Sequence, residues 1–294
     1  MAISIIRAEY LGMCFGVRDA IALAQGGAAA APLTILGSLV HNATVLRTLE
    51  DKGIAFAEEP GQVRTETVMV TAHGASERRL SALRAHGFTV VEATCPLVHV
   101  AHRGVAALVA AGYHPVIVGQ RAHVEVRGLT EDLDAFDVVL DEADVAALAA
   151  HPRIGVAAQT TQPLERVRRL VALIRRRFPD SDVRFIDTVC KPTKQRQAAA
   201  VDVARRADVV IVIGGSNSNN THELVTTCRE HCARVHHVQV AADLRPEWFT
   251  SADVVGITAG TSTPDEVIDA VERRIRSIAA RSETDSTLVM ERGR

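Results

Sequence analysis

Short β-branched runs alternate with amphipathic stretches along nearly the whole chain, and a polar or glycine-containing tip separates each run from the stretch after it. Thr34–Gly37 leads into His41-Asn42, Thr67–Thr71 into His73-Gly74, and Pro115–Gly119 into His123. Ile154–Ala157 leads into Gln159-Thr160-Thr161, Val209–Ile213 into Gly214-Gly215, and Val254–Ile257 into Gly260. Helical periodicity marks Glu77–Ala85, Glu165–Phe178 and Pro264–Ala279. Repetition of strand, tip and helix predicts parallel βαβ units and an α/β fold. In such sheets ligands gather beyond the carboxyl ends of the strands.

Three further apolar runs lead to cysteines. Ile3–Ala8 precedes Gly12-Met13-Cys14, Thr89–Val91 precedes Ala93-Thr94-Cys95, and Val183–Ile186 precedes Thr188-Val189-Cys190. The cysteines are about one small α/β module apart. They predict three lobes: 14–95 with His41 and His73, 96–189 with His123, Glu125 and Thr160, and 190–280 with Ser218 and Ser262. A strand within 1–13 joins the third lobe, and 281–294 reads as a tail that frays. For one cysteine the plain reading is a small buried hydrophobe. Three at equivalent strand ends suit an iron–sulfur cluster with one coordination position left open.

Composition narrows the function classes. The 294 residues carry a net charge of −2 and 3% aromatics, too little field or stacking surface for nucleic acid. No apolar run reaches the roughly 18–20 residues that span a bilayer. The start Met1-Ala2-Ile3-Ser4 lacks the pattern of a secretory signal. Five scattered cysteines suit a reducing cytoplasm better than a disulfide framework. Cys228 and Cys232 share one helical face with Leu224 and Val225; despite His222, His231 and His236 nearby, they read as core packing. Glu131–Asp144, with seven acidic residues, reads as a solvated face or loop.

The tips supply candidate chemistry. His41, His73, His123, Thr160, Ser218, Asn220 and Ser262 are neutral or weakly basic donors, which with helix N-termini can hold a phosphate or diphosphate. Gly214-Gly215-Ser216-Asn217-Ser218-Asn219-Asn220 is the strongest such run, although a polar turn with a helix cap would look the same. Neither a P-loop nor G-x-G-x-x-G is present, so no nucleotide cofactor is indicated. Glu125 is the one carboxylate among the tips. With an extended local chain it would face the cavity of His123, where a retained proton would make it a general acid. A surface glutamate at a helix start is the alternative.

Taken in order, these motifs resemble the LytB/IspH family of 4-hydroxy-3-methylbut-2-enyl diphosphate reductases. The match comprises Gly12-Met13-Cys14-Phe15-Gly16-Val17, Val40-His41-Asn42, Ala72-His73-Gly74 and Ala93-Thr94-Cys95-Pro96-Leu97-Val98. It continues through His123-Val124-Glu125, Gln159-Thr160-Thr161, Cys190 with Gln195-Arg196-Gln197, and Thr258-Ala259-Gly260-Thr261-Ser262, so that it spans about Met1 to Ala279. The resemblance implies a trefoil of three α/β domains around a central [4Fe-4S] cluster. Cys14, Cys95 and Cys190 would ligate three irons, the fourth being left to the substrate hydroxyl. His41, His73, His123, Ser218, Asn220 and Ser262 would hold the diphosphate, with Asn219 beside them. Glu125 would deliver a proton and Thr160 would relay or position it. The implied reaction is reductive dehydroxylation of an allylic diphosphate to isopentenyl and dimethylallyl diphosphate, with electrons from reduced ferredoxin or flavodoxin.

Two departures bear on this. The family usually reads Asn-Ser-Ser-Asn where this chain has Asn217-Ser218-Asn219-Asn220, and Lys191-Pro192-Thr193-Lys194 follows the third cysteine. Both leave room for a paralogue with another small anionic substrate. Quinolinate synthase and the diphthamide-forming enzymes gather three cysteines in the same way, and a non-catalytic iron–sulfur sensor is a third reading. The histidine tips favour a diphosphate.

Overall fold

The computed structural model describes residues 3–250 and 253–292, with side chains described to residue 280. Its first stretch runs β1 (Ser4–Arg7), α1 (Phe15–Ala30), β2 (Leu33–Leu36), α2 (Ala43–Glu50), β3 (Ala55–Ala57), β4 (Thr67–Val70), α3 (Glu77–Ala85) and β5 (Thr89–Glu92). The second runs α4 (Pro96–Ala110), β6 (His114–Val118), α5 (Val124–Thr130), β7 (Asp137–Val139), α6 (Glu142–Ala147), β8 (Arg153–Ala158), α7 (Leu164–Arg177) and β9 (Asp182–Phe185). The third runs α8 (Lys191–Arg206), β10 (Val209–Ile213), α9 (Asn219–Arg229), β11 (Arg234–Val238), β12 (Val254–Ala259) and α10 (Asp265–Arg292).

The strands form three four-stranded sheets, β3-β2-β4-β5, β7-β6-β8-β9 and β11-β10-β12-β1, parallel throughout. This is the α/β architecture that the strand–tip–helix repetition predicted. The three sheets share one strand order: the first strand of each repeat pairs with both the second and the third, and a fourth lies at the edge. That fourth strand is β5, β9 or β1, and the next segment carries Cys95, Cys190 or Cys14. By contact density the chain divides into two compact units. One comprises residues 1–14 and 194–294 with one sheet, the other 15–193 with two.

Burial on both faces explains the near-continuous apolar strands. In β10, Val209, Ile211 and Ile213 pack with Ile275 and Ile278 of α10, while Val210 and Val212 pack with Leu224 and Val225 of α9. Val116 and Val118 of β6 join a core with Leu170 and Ile174 of α7, and Ile117 faces Leu108 of α4. Each such side chain contributes roughly 1.5–3 kcal/mol by leaving water.

Some expectations give way. The acidic stretch 131–144 includes β7, whose Val138 and Val139 are core residues, and the start of α6; its carboxylates instead cap, as where Asp141 accepts from the Asp144 N–H. Cys228 and Cys232 are both buried as expected, but α9 ends at Arg229, so Cys232 lies in the following turn. The backbone of α10 continues through the start of the tail to Arg292; residues 293–294 lie outside the described residues.

Candidate active site

The polar tips follow the first and third strands of each repeat. His41 follows β2, His73 β4, His123 β6, Thr160 β8, Ser218 β10 and Ser262 β12. Helix capping fixes several of them. Asn42 caps α2 by accepting from the Thr44 and Val45 N–H groups. His123 and Ser218 occupy the same N-cap position of α5 and α9. His123 Nδ1 accepts from the Glu125 N–H at 3.1 Å, so the ring proton sits on Nε2 and is available to an anion.

Within the unit 15–193, His41, His73 and His123 come together. The His41 and His73 rings stack at 4.3 Å, and His123 meets them edge-on at 5.2 and 5.5 Å. Burial lowers the pKa of all three. Mutual repulsion adds to it for His73, which lies well below its usual value, and for His123, which falls to about 4. The cluster is therefore neutral near pH 7: three polar rings without fixed positive charge.

Glu125 is the second residue of α5. The expectation of an extended chain there is corrected, because helix capping by His123 turns the backbone at once. The carboxylate is 1% exposed. Oε1 accepts from the Thr160 N–H at 2.6 Å and Oε2 from the Thr160 hydroxyl at 3.1 Å. Burial outweighs these bonds and raises the pKa to about 7. A carboxyl group that titrates at neutrality can both hold and release a proton.

The cysteines are anchored alike. Cys190 N–H donates to the Thr160 carbonyl at 3.0 Å, Cys95 N–H to Ala72 at 3.1 Å, and Cys14 N–H to Thr261 at 3.0 Å. Each acceptor is the second residue beyond the third strand of its repeat. Each cysteine then leads into a helix, α8, α4 or α1, where negative charge is favoured. All three are partly exposed, and none of the five cysteines is in a disulfide. A Cβ on Gly16 would lie 2.4 Å from Cys95 Sγ, so glycine there keeps the sulfur clear. Each of these partly exposed thiols is the kind of donor that an iron–sulfur cluster takes.

In the other unit, Thr261 mirrors Thr160. Its carbonyl takes the Cys14 N–H, and its N–H donates at 3.0 Å to Asn220 Oδ1. Asn220 is the second residue of α9, as Glu125 is of α5. Asn220 Nδ2 is buried and finds no acceptor among the described residues, which leaves a donor for a ligand. Ser218, Asn219 and Ser262 are buried on the same tips. Arg196, given no role from sequence beyond its motif, grips the Gly12 carbonyl ahead of Cys14 with Nε at 2.9 Å and Nη2 at 2.7 Å. Its only sequence signal was its place in Gln195-Arg196-Gln197.

Comparison with known proteins agrees with the motif resemblance. A family model described as "LytB protein" matches residues 5–276. A protein of Aquifex aeolicus (strain VF5) named 4-hydroxy-3-methylbut-2-enyl diphosphate reductase is 36% identical over 282 residues, with 94% of this chain and 97% of that protein covered. One of the same name from Geobacter metallireducens is 37% identical over 276 residues, covering 93% and 97%. A solved structure of (E)-4-hydroxy-3-methyl-but-2-enyl diphosphate reductase, described as the terminal enzyme of the non-mevalonate pathway, superposes with a TM-score of 0.66 at 35% identity. It covers 94% of this chain and 99% of the other. A solved structure of the E-1-hydroxy-2-methyl-but-2-enyl-4-diphosphate reductase from Plasmodium falciparum, at 24% identity and a TM-score of 0.86, covers 92% of this chain and 86% of that one and shares the fold. The chain belongs to the LytB protein family.

Proposed function

We propose that this chain reduces 4-hydroxy-3-methylbut-2-enyl diphosphate to isopentenyl and dimethylallyl diphosphate, with a [4Fe-4S] cluster held by Cys14, Cys95 and Cys190. The observation that carries the reading is the buried Glu125, titrating near neutrality, bonded to Thr160, whose carbonyl holds the backbone of Cys190. When bound, such a cluster supplies Lewis acidity and electrons one at a time.

The chain's residues do the rest. His41, His73 and His123 bind the diphosphate, His123 through its Nε2–H. Ser218, Asn219, Asn220 and Ser262 add neutral donors, Asn220 through its Nδ2. The three histidine rings are neutral before binding, so positive charge develops there only as the anion arrives and draws protons to them. Glu125 enters the reaction protonated and gives its proton to the departing water, and the Thr160 hydroxyl positions the carboxyl and passes the proton on. Burial of the acid keeps bulk water from that proton.

Thiolate ligands suit a reducing compartment such as the cytoplasm. Among the described residues no helix is long and apolar enough to cross a membrane. Reduced ferredoxin or flavodoxin is the expected electron source, and Lys191, exposed at the start of α8, suits an acidic donor. Iron and sulfide analysis of anaerobically purified protein tests the cluster. About four of each per chain are expected, lost in Cys95→Ala. Iron-free, colourless wild-type protein would overturn the reading.

A further inference from the structure

The far end of the β7-β6-β8-β9 sheet holds a side-chain cluster that the reductase reading does not use. His114 opens β6, Asp137 opens β7, and His151 stands two residues before β8. These are amino ends of strands, whereas His123 and Thr160 follow the carboxyl ends of β6 and β8. At about 3.3 Å per residue, the four steps from His114 to Val118 put roughly 13 Å between the two ends of β6.

His114 Nε2 lies 2.9 Å from Asp137 Oδ2. The His114 and His151 rings stack at 3.7 Å with their planes 4° apart. One donor atom from each of the three residues lies within 4.8 Å of the other two. All three are half-buried, so the cluster is reachable but not freely solvated. The nearby Arg153 is committed elsewhere: its guanidinium covers the Tyr113 ring at 4.2 Å and donates to the Ala111 carbonyl at 2.6 Å.

We propose that His114, Asp137 and His151 bind one divalent transition-metal ion of the zinc class. Two imidazoles and a carboxylate are a donor set that such ions prefer over magnesium or calcium. Ligand bonds of about 2.0–2.2 Å in a tetrahedron put donor atoms roughly 3.4 Å apart, so only a small contraction is needed. A metal lies in the plane of each ring it binds, so the two stacked rings must splay. The backbone at His151 is held by Ser181 Oγ donating to its carbonyl at 2.7 Å, which leaves the side-chain torsions to adjust. The ion takes the place of the hydrogen bond between His114 and Asp137: the neutral His114 ring carries its one proton on Nδ1 instead of Nε2, and water completes the coordination. Bound there, the ion ties three strand starts together. It stabilises the folded chain by mass action and leaves turnover alone.

The test loads the anaerobic holoenzyme with micromolar Zn2+, dialyses it against metal-free buffer, and measures zinc and iron together. The wild type is expected to retain about one more equivalent of zinc than either His151→Gln or Asp137→Asn, at equal iron content. Zinc raises the Tm of the wild type by a few degrees and of neither variant. His41→Gln serves as control for the other histidine cluster and keeps the same one-equivalent difference from its His41→Gln/His151→Gln double variant. Zinc-free turnover of His151→Gln equals that of the wild type. Equal zinc in the wild type and both variants, or a wild type that retains none, overturns the proposal; neither result touches the reductase reading, which the iron content and turnover report.

Discussion

The Glu125 carboxylate takes two hydrogen bonds from one residue, the Thr160 N–H and hydroxyl, while the Thr160 carbonyl takes the Cys190 N–H. One threonine thus sets the distance between the acid and a cysteine. Glu125→Gln keeps the shape and both partners but has no proton to give. Turnover should fall about 10²–10⁴-fold, with KM within a few-fold and iron content unchanged. Steady-state kinetics beside iron analysis checks this, and unchanged turnover would remove Glu125 from the acid role.

The same carboxyl makes stability depend on pH. Its pKa is raised from 4.5 to about 7, so between those values the folded chain holds a proton that the unfolded chain has released. That contribution is complete below pH 4.5 and is lost as pH rises to 7, amounting to about 3 kcal/mol. Glu125→Gln is insensitive to this loss. Its Tm relative to wild type should therefore rise between pH 5 and pH 8.5; a constant difference would contradict the buried, protonated acid.

The histidine cluster predicts proton uptake on binding. Neutral imidazoles with lowered pKa values regain protons when a diphosphate arrives, since an anion favours the charged ring. Affinity should strengthen as pH falls from 8 to 6. Calorimetry in buffers of different ionisation enthalpy should show net uptake, reduced in His73→Asn. Binding without uptake would mean the rings stay neutral and act as dipoles alone.

Much of this architecture is legible in the sequence, because doubly buried parallel strands such as Val209–Ile213 are apolar without interruption and their tips are polar. The edge strands β3, β7 and β11 were not legible. They are short or carry polar residues, as in Arg234-Val235-His236-His237-Val238, and pairing with a neighbour rather than propensity makes them strands. Residue types and order also single out the cysteines, the histidine tips and Glu125. Their linkage is not legible: the Thr160 bridge to Glu125 and Cys190, its counterpart Thr261 to Asn220 and Cys14, and the Arg196 grip on Gly12 join residues far apart in the chain.

That grip yields a further prediction. Gly12 has φ +72°, and a Cβ there would lie 2.7 Å from Ile268 Cδ1. Gly12→Ala therefore strains the turn that delivers Cys14, by about 1–2 kcal/mol from the backbone alone. Arg196→Met frees the Gly12 carbonyl that the guanidinium holds. Both variants should lower iron per chain more than they lower helix content by circular dichroism. A full complement of iron in both would show that the turn needs no support.

The most direct test of the whole account is anaerobic turnover of 4-hydroxy-3-methylbut-2-enyl diphosphate by the iron-loaded wild-type chain with reduced viologen as donor. The account predicts viologen oxidation with isopentenyl and dimethylallyl diphosphate as the products, abolished in Cys190→Ala. A chain that carries four irons and binds the diphosphate yet leaves the substrate hydroxyl in place would contradict it.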